Sequence, residues 1–119
     1  MKNELSRQEL HNLAMNIVGK ELEDQGFEFL GVNSKLKSNP QFVALKDKQV
    51  HFVIVRAITY PDDPKEIDRI LMDEVKEHAL KFEARTFYAG VGLANSRGYE
   101  KPVLNDEDYI VNYEGLQEV

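Results

Sequence analysis

Few side chains in this sequence have the type and spacing that chemistry needs. Glu74 and His78 stand four apart, which on a helix puts a carboxylate and an imidazole on one face at metal-ligand spacing. A closed site needs a third ligand, and the sequence places none, because His11 and His51 fall on other elements. His78 therefore reads as a boundary residue beside an apolar stripe. Gly90-Val91-Gly92 invites comparison with a phosphate-cradling loop. A dinucleotide fingerprint, however, requires a helix to open directly after the glycines, and Asn95-Ser96-Arg97-Gly98 is turn-like. Those glycines read as room for a helix to approach a strand closely. No serine, histidine and acid stand in a nucleophile-elbow motif. With no cysteine, a disulfide framework, a thiolate zinc site and a cysteine-ligated iron–sulfur cluster are all excluded. No catalytic residue, metal ligand or cofactor follows from these patterns.

The elements that would carry any site are clearer. Ser6 is a natural N-cap, Glu9 closes a capping box three residues on, and Leu5 with Leu10 are spaced as a hydrophobic staple. Leu10, Leu13, Ala14, Ile17, Val18 and Leu22 then recur at helical spacing until Gly26 supplies a left-handed stop. Phe27 to Asn33 reads as a strand, and the lysines, Asn39 and Pro40 that follow break regular structure. Gln41 to Lys46 and Gln49 to Ile58 form a predicted hairpin turning on Asp47-Lys48. Its second strand is apolar on both faces, the pattern of a central strand covered on both sides. Asp63 as N-cap and Pro64 at the first helical position predict a second helix, with Ile67, Ile70, Leu71, Val75, His78, Ala79 and Phe82 as its stripe up to about Ala84. Thr86 to Ala94 is a fourth strand, and Tyr109 to Tyr113 a short last one.

The order helix, three strands, helix, strand and tail strand predicts an α/β (α+β) domain with a mixed central sheet flanked by helices. The third and fourth strands should be parallel, joined by a right-handed crossover. The 119 residues fit one domain. The opening Met1 to Arg7 lacks the apolar core of a signal peptide, and the apolar run from Val50 to Ile58 is too short to span a bilayer, so a cytoplasmic setting without membrane contact is expected. A formal net charge of −6 disfavours a general nucleic-acid surface, with only Lys35, Lys37, Lys46 and Lys48 grouped against it near the hairpin. Tyr60, Tyr88, Tyr99, Tyr109 and Tyr113 crowd the second half, where tyrosine suits a half-wet interface. The tail strand either closes the sheet or pairs with a second copy of the chain.

The succession of elements from Glu9 to Ala94, with the strand Phe52-Val53-Ile54-Val55-Arg56, resembles the restriction-endonuclease-like, or PD-(D/E)xK, superfamily and in particular its Holliday-junction-resolvase-type members. The resemblance implies a strand of the form phenylalanine-valine-acid-valine-lysine, in which the acid and a group on the neighbouring strand hold a divalent metal and the lysine stabilises charge on water or phosphate. Positions 54 and 56 share a face, and a hairpin turning on Asp47-Lys48 sets Gln41 opposite Ile54. The three corresponding positions thus read Gln41, Ile54 and Arg56, a degenerate set lacking both carboxylates. A slipped alternative would use Asp47 and Glu21 or Glu23 with Arg56, although Asp47 suits a turn and the helix acids suit the surface. Arg56 itself reads as a structural guanidinium paired with an acid at the end of the sheet.

The chain is also similar to short proteins carrying the label of a sodium-translocating NADH:quinone reductase flavin subunit. That label implies an iron–sulfur cluster, a membrane anchor and flavin and nicotinamide domains, none of which the residues supply. The favoured expectation is a non-catalytic domain with a degenerate nuclease-like core acting through protein contacts. The alternatives are a residual nucleic-acid-binding or nuclease module, and a small-molecule or nucleotide binder with a pocket beside Tyr88 and Gly90 to Asn95.

Overall fold

In a computed structural model, which describes residues 3–36 and 38–119, Ser6 caps helix α1 (Arg7–Asp24) as its sequence dictates. The Ser6 hydroxyl accepts from the Glu9 N–H at 3.1 Å, and the Glu9 carboxylate accepts from the Ser6 N–H at 2.9 Å. That reciprocal bonding holds the Glu9 carboxyl below its ordinary value. Gly26, with φ of 86°, turns the chain into β1 (Glu28–Val32). The hairpin of β2 (Phe42–Lys46) and β3 (Gln49–Ile58) closes on Asp47 and Lys48, both with positive φ (52° and 66°), the twist-matched two-residue turn. Its register runs from Lys46 opposite Gln49 to Phe42 opposite Val53.

The second helix, α2 (Arg69–Leu80), begins later than Asp63-Pro64 predicts and is capped by Asp68, whose carboxylate accepts from the Leu71 N–H at 3.1 Å. Residues 63–67 instead lie across the sheet. A Cβ on Gly90 would sit 2.1 Å from the Pro64 carbonyl oxygen, and one on Gly92 would sit 3.0 Å from the proline ring. The two glycines therefore admit a loop, not the expected helix. The delayed start also turns the buried stripe to Met72, Val75 and Ala79 and leaves Ile70, His78 and Phe82 exposed. On α1 the buried line is likewise rotated, to His11, Met15, Val18 and Leu22 beside Ala14.

Strand β4 (Arg85–Asn95) runs parallel to β3 over residues 51–58, completing the expected crossover, and β5 (Tyr109–Asn112) pairs antiparallel with its outer edge at Gly92–Asn95. The tail strand thus closes the sheet. A two-residue strand with no sequence signal, β6 (Gln117–Glu118), pairs with the same edge of β4 at Phe87 and Tyr88. The result is a mixed six-stranded sheet of order β1-β2-β3-β4-β5, with helices on opposite faces, and the class is α+β. On one face, Ala14, Val18 and Leu22 pack on Val53, Val55, Ala89 and Val91. On the other, Met72, Val75 and Ala79 pack on Phe52, Ile54 and Tyr88. Val53, Ile54 and Val55 are all 0 % exposed, so β3 is the central strand that its unbroken apolar run predicts. Within the described residues, no helix is long and apolar enough to cross a membrane.

Candidate functional site

Both helices point their N-termini toward one end of the sheet, where the parallel strands β3 and β4 end. That is the end at which α/β sheets commonly hold ligands. A cleft of about 360 Å³ opens there, walled by Arg7, Leu10 and His11 of α1, Leu36 of the loop before β2, Arg56 and Ala57 of β3, and Asp68 and Leu71 at the start of α2. Of the three positions singled out in the sequence, Arg56 alone lines this cleft, and the three do not converge as a metal site would.

Gln41 is fully buried, and its main-chain N–H reaches the Val53 carbonyl at 3.0 Å, where β2 begins. Its side chain continues the ladder beyond that point. Oε1 accepts from the Val55 N–H at 2.8 Å, and Nε2 donates to Asn39 Oδ1 at 3.0 Å and to the Ser38 carbonyl at 3.3 Å. The amide thus satisfies a buried strand donor that β2 has become too short to reach. Ile54 packs under α2 with Met72 and Tyr88, where its burial contributes roughly 1.5–3 kcal/mol. Arg56 donates from Nη2 to Asn39 Oδ1 at 3.0 Å and from Nη1 to the Val55 carbonyl at 2.9 Å. Gln41 and Arg56 therefore meet through one shared acceptor, Asn39, which the sequence marks only as loop. The acid expected to pair with Arg56 is not its partner: among the described residues no carboxylate forms an ion pair with it.

The half-buried guanidinium is consequently under-compensated. Burial pulls its pKa below the ordinary arginine value, against an upward pull from the phenol of Tyr88 and the carboxylate of Asp68. Tyr88 is 2 % exposed, and burial raises its phenol. His11, also 2 % exposed, lines the same cleft; its Nε2 is sealed from water and has no hydrogen-bond partner among the described residues. Burial first, and the nearby positive charge of Arg56 second, hold its imidazole below its ordinary value, so it is neutral at pH 7.

The remaining candidates disperse. Glu21 and Glu23 lie at the far end of α1 from Arg56, and Glu21 accepts from the Tyr113 hydroxyl at 3.2 Å. Asp47 is committed to the hairpin turn, so the slipped site has no common location. Lys46 sits 5.2 Å over the Phe27 ring, and β2, about 13 Å long at the usual rise per residue, separates Lys46 and Lys48 from Lys35. Lys37 lies outside the described residues. Glu74 and His78 are exposed on α2, and the described residues contain no group of three potential metal ligands. The tyrosines do not form one surface: Tyr88 is core on the α2 face, Tyr113 is half-buried on the α1 face, and Tyr60, Tyr99 and Tyr109 are exposed. The pocket expected beside Gly90 to Asn95 is largely filled by Pro64. What remains there is a cavity of about 120 Å³ lined by Ile58, Pro64 and Gly92, well under the roughly 300 Å³ at which ligand sites begin.

Residues 8–119 match the family model described as a domain of unknown function, DUF8840, and the chain belongs to that family. Neither a curated protein nor a solved structure matches it.

Proposed function

We propose that this chain is a non-catalytic domain, built on a core of the restriction-endonuclease-like kind, that acts through protein contacts and associates with a second copy of itself through the outer edge of β5. The element order and the parallel β3–β4 crossover support the likeness of the core. One observation carries the non-catalytic reading: Gln41 Oε1 is committed to the Val55 N–H while Ile54 is sealed beneath α2. A metal would need two carboxylates at those positions, and restoring them would cost a strand hydrogen bond and a core contact.

The two sheet edges differ in a way that favours β5 for association. The β1 edge is broken by a register shift between Phe29 and Gly31, an irregularity of the kind that blunts strand pairing. Strand β5 is regular across its four residues, and Tyr109, Ile110 and Val111 are about two-fifths exposed each. Acids flank it, but Glu114 is paired with Lys65 at 3.1 Å and Glu107 lies 3.8 Å from Arg97. An antiparallel self-pairing there is isologous and closes as a two-fold dimer. A cytoplasmic setting belongs to the same reading, since a chain without cysteine needs no oxidising compartment.

Light scattering at high concentration tests the association. The expected mass is twice the 13.7 kDa of one chain, falling to one chain in Ile110→Lys. A single-chain mass for the unaltered protein at every concentration refutes the dimer. Cleavage of plasmid or junction DNA in magnesium or manganese that survives repurification refutes the non-catalytic reading. A salt-dependent shift of labelled duplex without cleavage would favour a nucleic-acid-binding role instead.

A further inference from the structure

The cleft at the helix N-termini combines features that a purely structural corner does not need. Arg56 is half-buried and, among the described residues, donates to neutral acceptors, Asn39 Oδ1 and the Val55 carbonyl, with Asp68 near enough to be felt but not paired. Among the described residues, His11 Nε2 is buried with no partner, where buried polar side chains are otherwise nearly all satisfied. Gln41 precedes the first residue of β2, so β3 has no partner strand on that side beyond it. The alternation that directs the Val53 carbonyl and the Val55 N–H toward β2 places the Ala57 N–H on that same open side, and Ala57 lines the cleft. The Arg56 guanidinium and the Ala57 N–H thus face one space, with His11 in its wall and its Nε2 sealed away from that space. Leu10, Leu36 and Leu71 give it an apolar portion beside the polar Arg7, Thr59 and Asp68, and its volume of about 360 Å³ falls in the range of small-molecule sites.

We propose that this cleft binds a small organic carboxylate, its charged end held by Arg56 and its short apolar body seated on Leu10, Leu36 and Leu71. A guanidinium fork matches a carboxylate in a bidentate manner, and the burial that weakens its hydration strengthens that pairing. Arg7, exposed on the first turn of α1, adds positive charge at the mouth, and the N-termini of both helices favour an anion at this end. Asp68 in the wall and the net charge of −6 select against dianions and polyphosphates, so the ligand is a monoanion. The site goes beyond the contact-forming role proposed above and does not depend on the β5 edge.

The test is titration of the intact chain with acetate, hexanoate, benzoate and inorganic phosphate, followed by calorimetry and by the imidazole resonances of His11. Hexanoate or benzoate should bind saturably, with a Kd of about 1 mM or tighter, and should move the His11 resonances. Acetate should bind at least about tenfold more weakly, because it lacks the body that the leucines cover. Arg56→Gln should weaken hexanoate binding at least about tenfold while Arg56→Lys retains part of it, the difference reporting the lost fork. Both variants should be checked for unchanged melting. Should Arg56→Gln unfold, Leu71→Asp on the rim supplies the same comparison, with loss of hexanoate binding expected. No saturable response to any carboxylate overturns the proposal. So does equal binding of phosphate, or binding unaffected in a folded Arg56→Gln chain.

Discussion

Replacing Gln41 by alanine is the perturbation whose size the structure specifies most fully. The substitution removes the acceptor of the Val55 N–H, which then points into a space closed to water between β3 and the end of β2. An orphaned buried amide costs roughly 1–3 kcal/mol, and the loss of the Nε2 bonds to Asn39 and Ser38 adds a smaller amount because both acceptors lie nearer the surface. The expected total is about 2–3 kcal/mol, which for a chain of this size lowers the melting temperature by roughly 10 °C. Urea unfolding should show the loss as a lower midpoint with an unchanged slope. Hydrogen exchange should localise it, with the Val55 amide losing protection while Val53, bonded through the main chain, keeps its own. Gln41→Met, which fills the volume without an acceptor, should be nearly as costly as alanine. A Gln41→Ala chain within about 0.5 kcal/mol of the unaltered protein, with Val55 still protected, would show that the side-chain amide does not complete the ladder.

Further expectations bear on other parts of the molecule. Gly90→Ala should destabilise by about 2 kcal/mol or more, because the added methyl meets the Pro64 carbonyl at 2.1 Å, whereas Gly31→Ala, whose nearest neighbour is the Val43 Cβ at 3.9 Å, should be nearly neutral by the same urea assay. His11, with its folded pKa held below the ordinary 6.5, binds fewer protons folded than unfolded; its contribution is fully present above about pH 6.5 and is lost as pH falls through the folded value. His11→Gln should therefore flatten the stability profile on the acid side of pH 6.5, and an unchanged slope would place the His11 imidazole in water.

The parts of the fold that were legible in the sequence are those fixed by local chemistry. Ser6 with Glu9, Gly26, and the doubly apolar run of β3 each act within a few residues, and each does what its sequence predicts. Asp63-Pro64 carries an equally good helix-start signal and fails, because the contact of Pro64 with Gly90 across the sheet outweighs a cap worth about 1 kcal/mol. Gln117–Glu118 joins β4 with no periodicity to announce it, since two residues cannot show one. The cleft was the least legible feature. It gathers His11, Leu36, Arg56 and Leu71 from four separate elements, and only the rotation of the α1 stripe toward His11, Met15, Val18 and Leu22 would have pointed to a buried imidazole there. Arg56 was visible as an oddity, but its dependence on Asn39 arises from the loop before β2, which no spacing rule describes.

A non-catalytic chain requires positions 41, 54 and 56 to be strand and core residues with no grip on a divalent ion. Titration of the isotopically labelled chain with manganese tests this most directly, since a bound paramagnetic ion broadens the resonances around it selectively. The expected result is weak, diffuse broadening on the acidic surface, with the Val55 and Arg56 amides and the Gln41 side-chain amide unaffected at low stoichiometry. Selective broadening of those three groups, removed by excess magnesium, would contradict it.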